Sequence, residues 1–317
     1  MGTTSKITGT LATAISKVSG TVISGLANIM GQVISLFTDD KAVAKSITTG
    51  SGEAVYIADS DGHYRYDEDD AFTISFWIKV GWDVNVNTHI HLFASADVSA
   101  SSANKDSYRI WYYEPHNRLY VEWRHHQNHK CQQFWLFHDN TGVYADAYSA
   151  AGLGATYWNS SNRGNANSDG YTMITVTRGT ANTAAPSNLK FYWNATDCVD
   201  GFYSAANSRS DGNNVGTVAQ DDDIDKQITL GSQAWGSFLQ SGNNDETKFN
   251  GVTLWDKVLN QSEITELYNS GAPMNVANHS AYDASCVGWW NFEDNGNNEV
   301  SGGPAFTVNG NSNFENK

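Results

Sequence analysis

From residue 53 onward the chain alternates apolar and polar positions in short runs. Phe72, Ile74, Phe76, Ile78 and Val80 share one face of 72–80. That period of two predicts a strand with one buried side. The runs 108–113 and 119–124 flank a turn containing Pro115 and read as a hairpin. Further strands are predicted at 54–58, 89–94, 134–138, 171–178, 189–194, 227–231, 250–256, 287–292 and 306–309. The tracts 139–170, 200–225 and 240–248, rich in Gly, Asn, Ser and Asp, read as loops. One helix is predicted, with Asn260 as N-cap, Glu263 three residues on, and Ile264, Leu267 and Tyr268 on one face. Gly271 is expected to close it. Many short strands and one trailing helix predict a mainly β fold, an antiparallel two-sheet sandwich.

The N-terminal segment follows a different period. Residues 5–15, 16–26 and 27–37 are three copies of one eleven-residue unit. Gly9, Gly20 and Gly31 occupy one slot, and Ile7, Val18 and Ile29 a second. Leu11, Val22 and Val33 fill a third, and Ile15, Leu26 and Phe37 a fourth. Eleven residues over three turns is ~3.67 per turn, which keeps one apolar seam along a helix. A single helix cannot bury such a seam, so it requires sister copies or a host surface. The glycines each weaken a helix by about 1 kcal/mol relative to Ala, and the Thr, Val and Ile content favours extended chain. The arm is therefore helical, or extended and ordered on docking. In both forms it is an assembly element, with a homo-oligomer (a trimer favoured) or another protein as partner. Residues 38–52 are polar and Gly-rich and read as a linker. The expected organisation is an arm over 1–37, a linker over 38–52 and a sandwich over 53–317.

Composition narrows the function classes. Aromatic residues make up 12% of the 317 and charged residues 17%, a balance that suits a large core and a neutral polar surface. A net charge of −15 argues against binding a phosphate backbone or an anionic lipid surface. Cys131, Cys198 and Cys286 suggest no disulfide framework and fit folding in a reducing cytoplasm. Lys17 and three glycines interrupt the arm, so it reads neither as a signal peptide nor as a membrane span. Lys6 stands where an N-myristoylation signal needs Ser or Thr.

Catalytic and metal signals are weak. His125, His129 and Cys131 have ligand chemistry, but no second spaced pair accompanies them. The acidic runs 67–70 and 221–225 are consecutive residues, which read as solvated loops rather than converging cation ligands. No nucleophile elbow, paired Cys-x-x-Cys or phosphate-cradling glycine loop occurs.

The aromatic signal lies in the 108–124 hairpin. Tyr108, Ile110, Tyr112, Leu119, Val121 and Trp123 form the better core face. The opposite face carries Arg109, Trp111 and Tyr113, then Tyr120, Glu122 and Arg124. Flat rings beside charged hydrogen-bonding groups suit a sugar. The competing reading is that cross-strand aromatic pairs stabilise any sheet, by roughly 0.2–1 kcal/mol each. Trp235, in a predicted loop, is a further glycan-binding candidate.

The segments 71–80 (AFTISFWIKV), 228–232 (ITLGS), 249–271 (FNGVTLWDKVLNQSEITELYNSG) and 287–294 (VGWWNFED) together resemble the concanavalin A-like lectin/glucanase superfamily. The laminin-G/pentraxin-like branch is the most similar. The resemblance covers roughly 50–310 and implies a jelly-roll sandwich that binds sugar or protein, in some members with calcium. Where the pentraxin branch places acidic calcium ligands, this chain has Gly231 to Gly236 with no carboxylate, so calcium is unsupported there and no cofactor is expected. The Glu-x-Asp strand of the glucanase branch is absent, so no catalytic residues are expected. The repeat arm is similar to N-terminal segments of marine bacteriophage virion proteins. The combination implies a non-enzymatic virion structural protein, a head fibre, decoration or tail appendage, folded in the host cytoplasm. Its expected partners are sister copies, other virion proteins and host-surface polysaccharide, with no nucleic acid and no membrane insertion. The alternatives are a polysaccharide hydrolase or lyase of the same fold, and a secreted adhesin.

Overall fold

The computed structural model describes residues 45–49, 54–59, 64, 70–79, 89–97, 106–113, 118–124, 131–136, 171–179, 189–197, 202–204, 226–231, 247–293, 295–309 and 314–316. The repeat arm, with its anchor positions from Ile7 to Phe37, lies outside them.

The strands in chain order are β1 (Lys45–Thr49), β2 (Ala54–Asp59), β3 (Phe72–Lys79), β4 (His89–Asp97), β5 (Asp106–Tyr113), β6 (Arg118–Arg124), β7 (Cys131–Leu136) and β8 (Thr172–Arg178). They continue with β9 (Leu189–Trp193), β10 (Thr196–Asp197), β11 (Phe202–Ser204), β12 (Lys226–Leu230), β13 (Thr247–Trp255), β14 (Cys286–Trp290), β15 (Thr307–Asn309) and β16 (Phe314–Asn316). Between β13 and β14 lie α1 (Gln261–Tyr268), a 3-10 turn (Val276–Asn278) and the single-turn α2 (Tyr282–Ser285).

These strands form two antiparallel sheets. The first runs β10-β9-β8-β3-β13-β1-β16, with β14 on the other half of β13. The second runs β11-β7-β6-β5-β4-β12-β2-β15. The mainly β, two-sheet fold expected from the alternation is the fold observed. The inward face of β3 closes the main core: Phe72, Ile74, Phe76 and Ile78 are fully buried, with Val55, Phe93, Ile110, Val121, Leu230 and Trp290 in the same cluster.

The 3-10 turn, α2 and β16 were not expected from the sequence, and further features differ for local reasons. The stretch 38–52 contains β1, whose Ile47 pairs with Phe249 of β13 on one side and Phe314 of β16 on the other. Polar residues flank that single apolar side chain, so the strand carries almost no periodic signal. The short strands β10 and β11 lie among turn-forming residues. Asn194 and Ala195 both take positive φ (49° and 61°), the geometry of a tight two-residue hairpin turn. Finally, α1 ends at Asn269, which is left-handed (φ 44°) and returns its N–H to Thr265 and Glu266 carbonyls. The left-handed turn thus begins two residues before Gly271.

A bulge in β13 opposite β3 shifts the register between Asn250 and Thr253. Gly251 sits in it at φ 51°, and a β-carbon there would come 3.2 Å from the Trp77 indole. Glycine is what permits this turn of the strand.

Candidate functional site

β5 and β6 form the hairpin that the sequence suggested. Trp111 pairs with Tyr120, Arg109 with Glu122 and Ile110 with Val121. On β7, Trp135 pairs with Tyr120 and Gln133 with Glu122. The rows His91–Trp111–Tyr120–Trp135 and Ala94–Arg109–Glu122–Gln133 therefore run across four neighbouring strands. Ile110 and Val121 are 1% exposed, as the core-face reading requires.

Trp111 corrects the sugar-platform expectation. It is 6% exposed and belongs to the main apolar cluster, as does Ile110 beside it. The Arg109 guanidinium lies 5.2 Å from its ring centroid, and Arg109 itself is buried. Ala94 and Thr229, in register with Arg109 on the neighbouring strands, are fully buried. With Trp111 and Arg109 both buried, Trp111 presents no open ring to a ligand. Tyr113, Tyr120, Glu122 and Arg124 have their backbones in β5 and β6, while their side chains lie outside the described set. Trp235 and the calcium-position segment 232–236 lie outside it as well, as do His125 and His129. Among the described residues no three His, Cys, Asp or Glu side chains are grouped closely enough to hold a metal. Among the same residues no helix is long and apolar enough to cross a membrane.

Among the described residues, an interlocked polar constellation lies on the outer face of the first sheet, where sequence reasoning placed nothing. Thr73, Ser75, Thr175, Thr177 and Thr253 are all buried there. Ser75 Oγ and Thr175 Oγ1 are 2.8 Å apart. Thr253 Oγ1 accepts from Trp255 Nε1 at 2.9 Å. Thr73 Oγ1 donates to the Lys257 carbonyl at 2.7 Å and accepts from Leu259 N–H at 2.9 Å. Small hydroxyls satisfied this way can be buried, where lysine or glutamate could not. The alternate positions of β3 read Thr, Ser, Trp, Lys, which is also what a solvent-facing side can carry, so the sequence did not mark this face as covered.

A cap made from 256–285 covers this face. Ile264 and Leu267 of α1, with Leu259 and Val276, join Trp77, Met173, Tyr192 and Trp255 in a second apolar cluster. His279 bolts the cap together. It is 3% exposed and its ring lies 4.8 Å from the Trp255 ring. His279 Nδ1 accepts from Ala281 N–H at 3.1 Å. The ring proton must then sit on Nε2, which is 2.9 Å from the Glu263 carbonyl oxygen and donates to it. Glu266 Oε2 lies 3.9 Å from the same Nε2 and accepts from Ser280 Oγ at 2.6 Å. Burial pushes the Cys286 thiol up to about 12, so it stays protonated and unreactive. These groups spend their hydrogen bonds on one another and on the backbone, and the constellation is a structural closure.

No family model matches the sequence, and no curated protein matches it. Among solved structures the chain is similar to the binding domain of botulinum neurotoxin DC in complex with rat synaptotagmin II. The identity is 15% over 71% of this chain and 42% of that one, with a TM-score of 0.40. It is also similar to the binding domain of Paraclostridial Mosquitocidal Protein 1 (16%, 71% and 43%, TM-score 0.41). The botulinum neurotoxin serotype D binding domain gives 14%, 72% and 45%, with a TM-score of 0.42. The chain spans less than half the length of these solved domains. Similarity at this level carries no conclusion about ligand or activity.

Proposed function

We propose that this chain is a non-enzymatic, anchored binding subunit: a bacteriophage virion structural protein whose arm holds a lectin-like sandwich on the particle. The reading rests on one observation. Three in-register eleven-residue units, with apolar positions Ile7, Leu11, Ile15, Val18, Val22, Leu26, Ile29, Val33 and Phe37, stand ahead of a sandwich of two antiparallel sheets. An apolar seam of that length stays in water only if something covers it. Sister copies, three in the favoured arrangement, or another virion protein cover it here. The first strand after the arm, β1, is paired on both sides, so a hold on the arm is a hold on the sheet. Glycan contact by the exposed head involves Tyr113, Tyr120, Glu122, Arg124 and Trp235, without Trp111. Repeated copies raise weak single-site binding by roughly 10²–10⁴ through avidity.

The test is mass photometry of the full chain beside one lacking residues 1–40, a cut that leaves β1 intact. The full chain should be oligomeric, or enter particles on co-expression with the other virion proteins. The shortened chain should be a folded monomer that does neither. A shortened chain that still assembles would refute the anchor.

A further inference from the structure

Phe292 and Phe306 bring the segment after β14 into the main core, and Asn298 between them holds it there. Asn298 Oδ1 accepts from Trp289 N–H at 3.0 Å and from Val300 N–H at 2.9 Å. Its Nδ2 donates to the hydroxyl of the buried Tyr64 at 2.8 Å. Glu299 N–H donates to the Trp289 carbonyl at 2.8 Å, and Phe306 N–H to the Gly296 carbonyl at 2.7 Å. A β-carbon on residue 296 would run into the Phe306 carbonyl. The fold therefore requires glycine directly after Asn295, the pairing in which a backbone nitrogen meets least steric hindrance on its way to a side-chain amide.

We propose that Asn295–Gly296 is a self-modifying junction, at which the Gly296 nitrogen attacks the Asn295 side-chain amide and the product loosens the Asn298 closure. Asn295 is exposed, and its Oδ1 accepts from Asn297 N–H at 2.8 Å. That bond turns the side-chain amide toward the chain that follows it and polarises its carbonyl. The same N–H stabilises the oxygen that becomes negative on attack. Among the described residues nothing accepts the Gly296 N–H, so no hydrogen bond to them must break to free the nucleophile. The Gly296 nitrogen gives its proton to hydroxide and bonds to Cγ. The bond from Cγ to the amide nitrogen breaks, and that nitrogen takes a proton from water and leaves as ammonia. Water then opens the succinimide ring, at one carbonyl to aspartate and at the other to isoaspartate, whose main chain runs through Cβ. Both products place a new carboxylate in a stretch that already carries Glu293, Asp294 and Glu299, adding like-charge repulsion. Isoaspartate also lengthens the main chain just before the Gly296 carbonyl, which Phe306 holds in place. Asn250–Gly251 is the internal contrast. Asn250 is fully buried within β13, and Gly251 is fixed in the bulge at φ 51°, so ring closure there must wait for the strand to open.

The experiment is peptide mapping of the full-length protein aged at mildly alkaline pH, beside free peptides spanning 289–300 and 247–256 aged in the same buffer. Conversion is read as the mass gain from amide to acid, and isoaspartate by its separate elution. Asn295 in the folded chain should convert within about tenfold of its free peptide, while Asn250 should be slower than its own peptide by about a hundredfold or more, the cost of opening β13. Hydrogen exchange on the aged protein should then be faster at the amides of Trp289, Glu299, Val300 and Phe306, and unchanged in β3 and β8. Asn295→Gln, whose longer side chain closes no succinimide ring, should keep its exchange pattern through the same ageing. An Asn295 slower than the tenfold bound, an Asn250 that converts as fast as Asn295, or converted protein with unchanged exchange around Asn298 would each overturn the proposal.

Discussion

The indole of Trp77 and the ring of Tyr268 stack 5.6 Å apart between centroids and 12° from parallel. Trp77 belongs to β3 and Tyr268 to the last turn of α1, so one ring contact joins the cap to the sheet. Trp77 is 2% exposed. Replacing Tyr268 by Ala removes the stack and part of its buried area, and should lower unfolding stability by about 2 kcal/mol. Tyr268→Phe should be nearly neutral. Urea denaturation followed by tryptophan fluorescence measures both, and an unmoved midpoint in the alanine variant would show that the stack adds nothing.

The start of α1 should be sensitive to acid. The Asn260 side chain accepts from Ser262 N–H and Glu263 N–H at 2.9 and 3.1 Å, and Glu263 answers by accepting from Asn260 N–H. Asn260→Ala should therefore cost about 1 kcal/mol. Burial alone would raise the Glu263 carboxyl, but the Lys257 ammonium and the Asn260 N–H outweigh it and hold the group below its ordinary value. A depressed carboxyl stabilises the fold above the unfolded value, about 4.3, and loses that contribution as pH falls through its own lower value. Thermal melts between neutral pH and about pH 3 should show a shallower acid limb in Glu263→Gln than in the wild type. Parallel acid limbs would remove Glu263 from the account.

Cys286 should resist alkylation. With its thiol near 12 and 9% of the residue exposed, its thiolate fraction near pH 8 is about a thousandfold below that of an ordinary cysteine. Peptide mapping after iodoacetamide treatment should find it modified only once the chain is unfolded. Rapid native modification would mean that the 286–290 strand opens.

Trp111 separates a core residue from a ligand platform. Its burial under Arg109 predicts that Trp111→Ala lowers stability by about 3–5 kcal/mol, as for other buried large aromatics. An unaltered melting temperature, with loss of binding on a glycan array, would restore the platform reading.

What was legible in the sequence followed from periodicity and from side-chain type. The alternation of Phe72, Ile74, Phe76 and Ile78 located β3 and its inward face because each of those positions is packed between the sheets. Asn260 and Glu263 located the start of α1 because the capping hydrogen bonds are local to four residues. The outer face of the first sheet was not legible. Thr73, Ser75 and Thr175 look like solvent-facing alternates until a cap built far along the chain covers them, and no local pattern reports that tertiary burial. His279 was missed for the same reason, since its partners Glu263 and Trp255 are contacts made by the folded cap. On β5 the alternation marked Ile110 as core but could not show that Trp111 beside it would be buried as well.

Lys45 pairs with Asn316 across the β1–β16 ladder. The start of β1 and the end of β16 thus lie side by side at one edge of the first sheet. On the anchored-subunit proposal, a fluorophore or affinity tag grafted beside Asn316 should interfere with assembly. The same label on the exposed first turn of α1 should not.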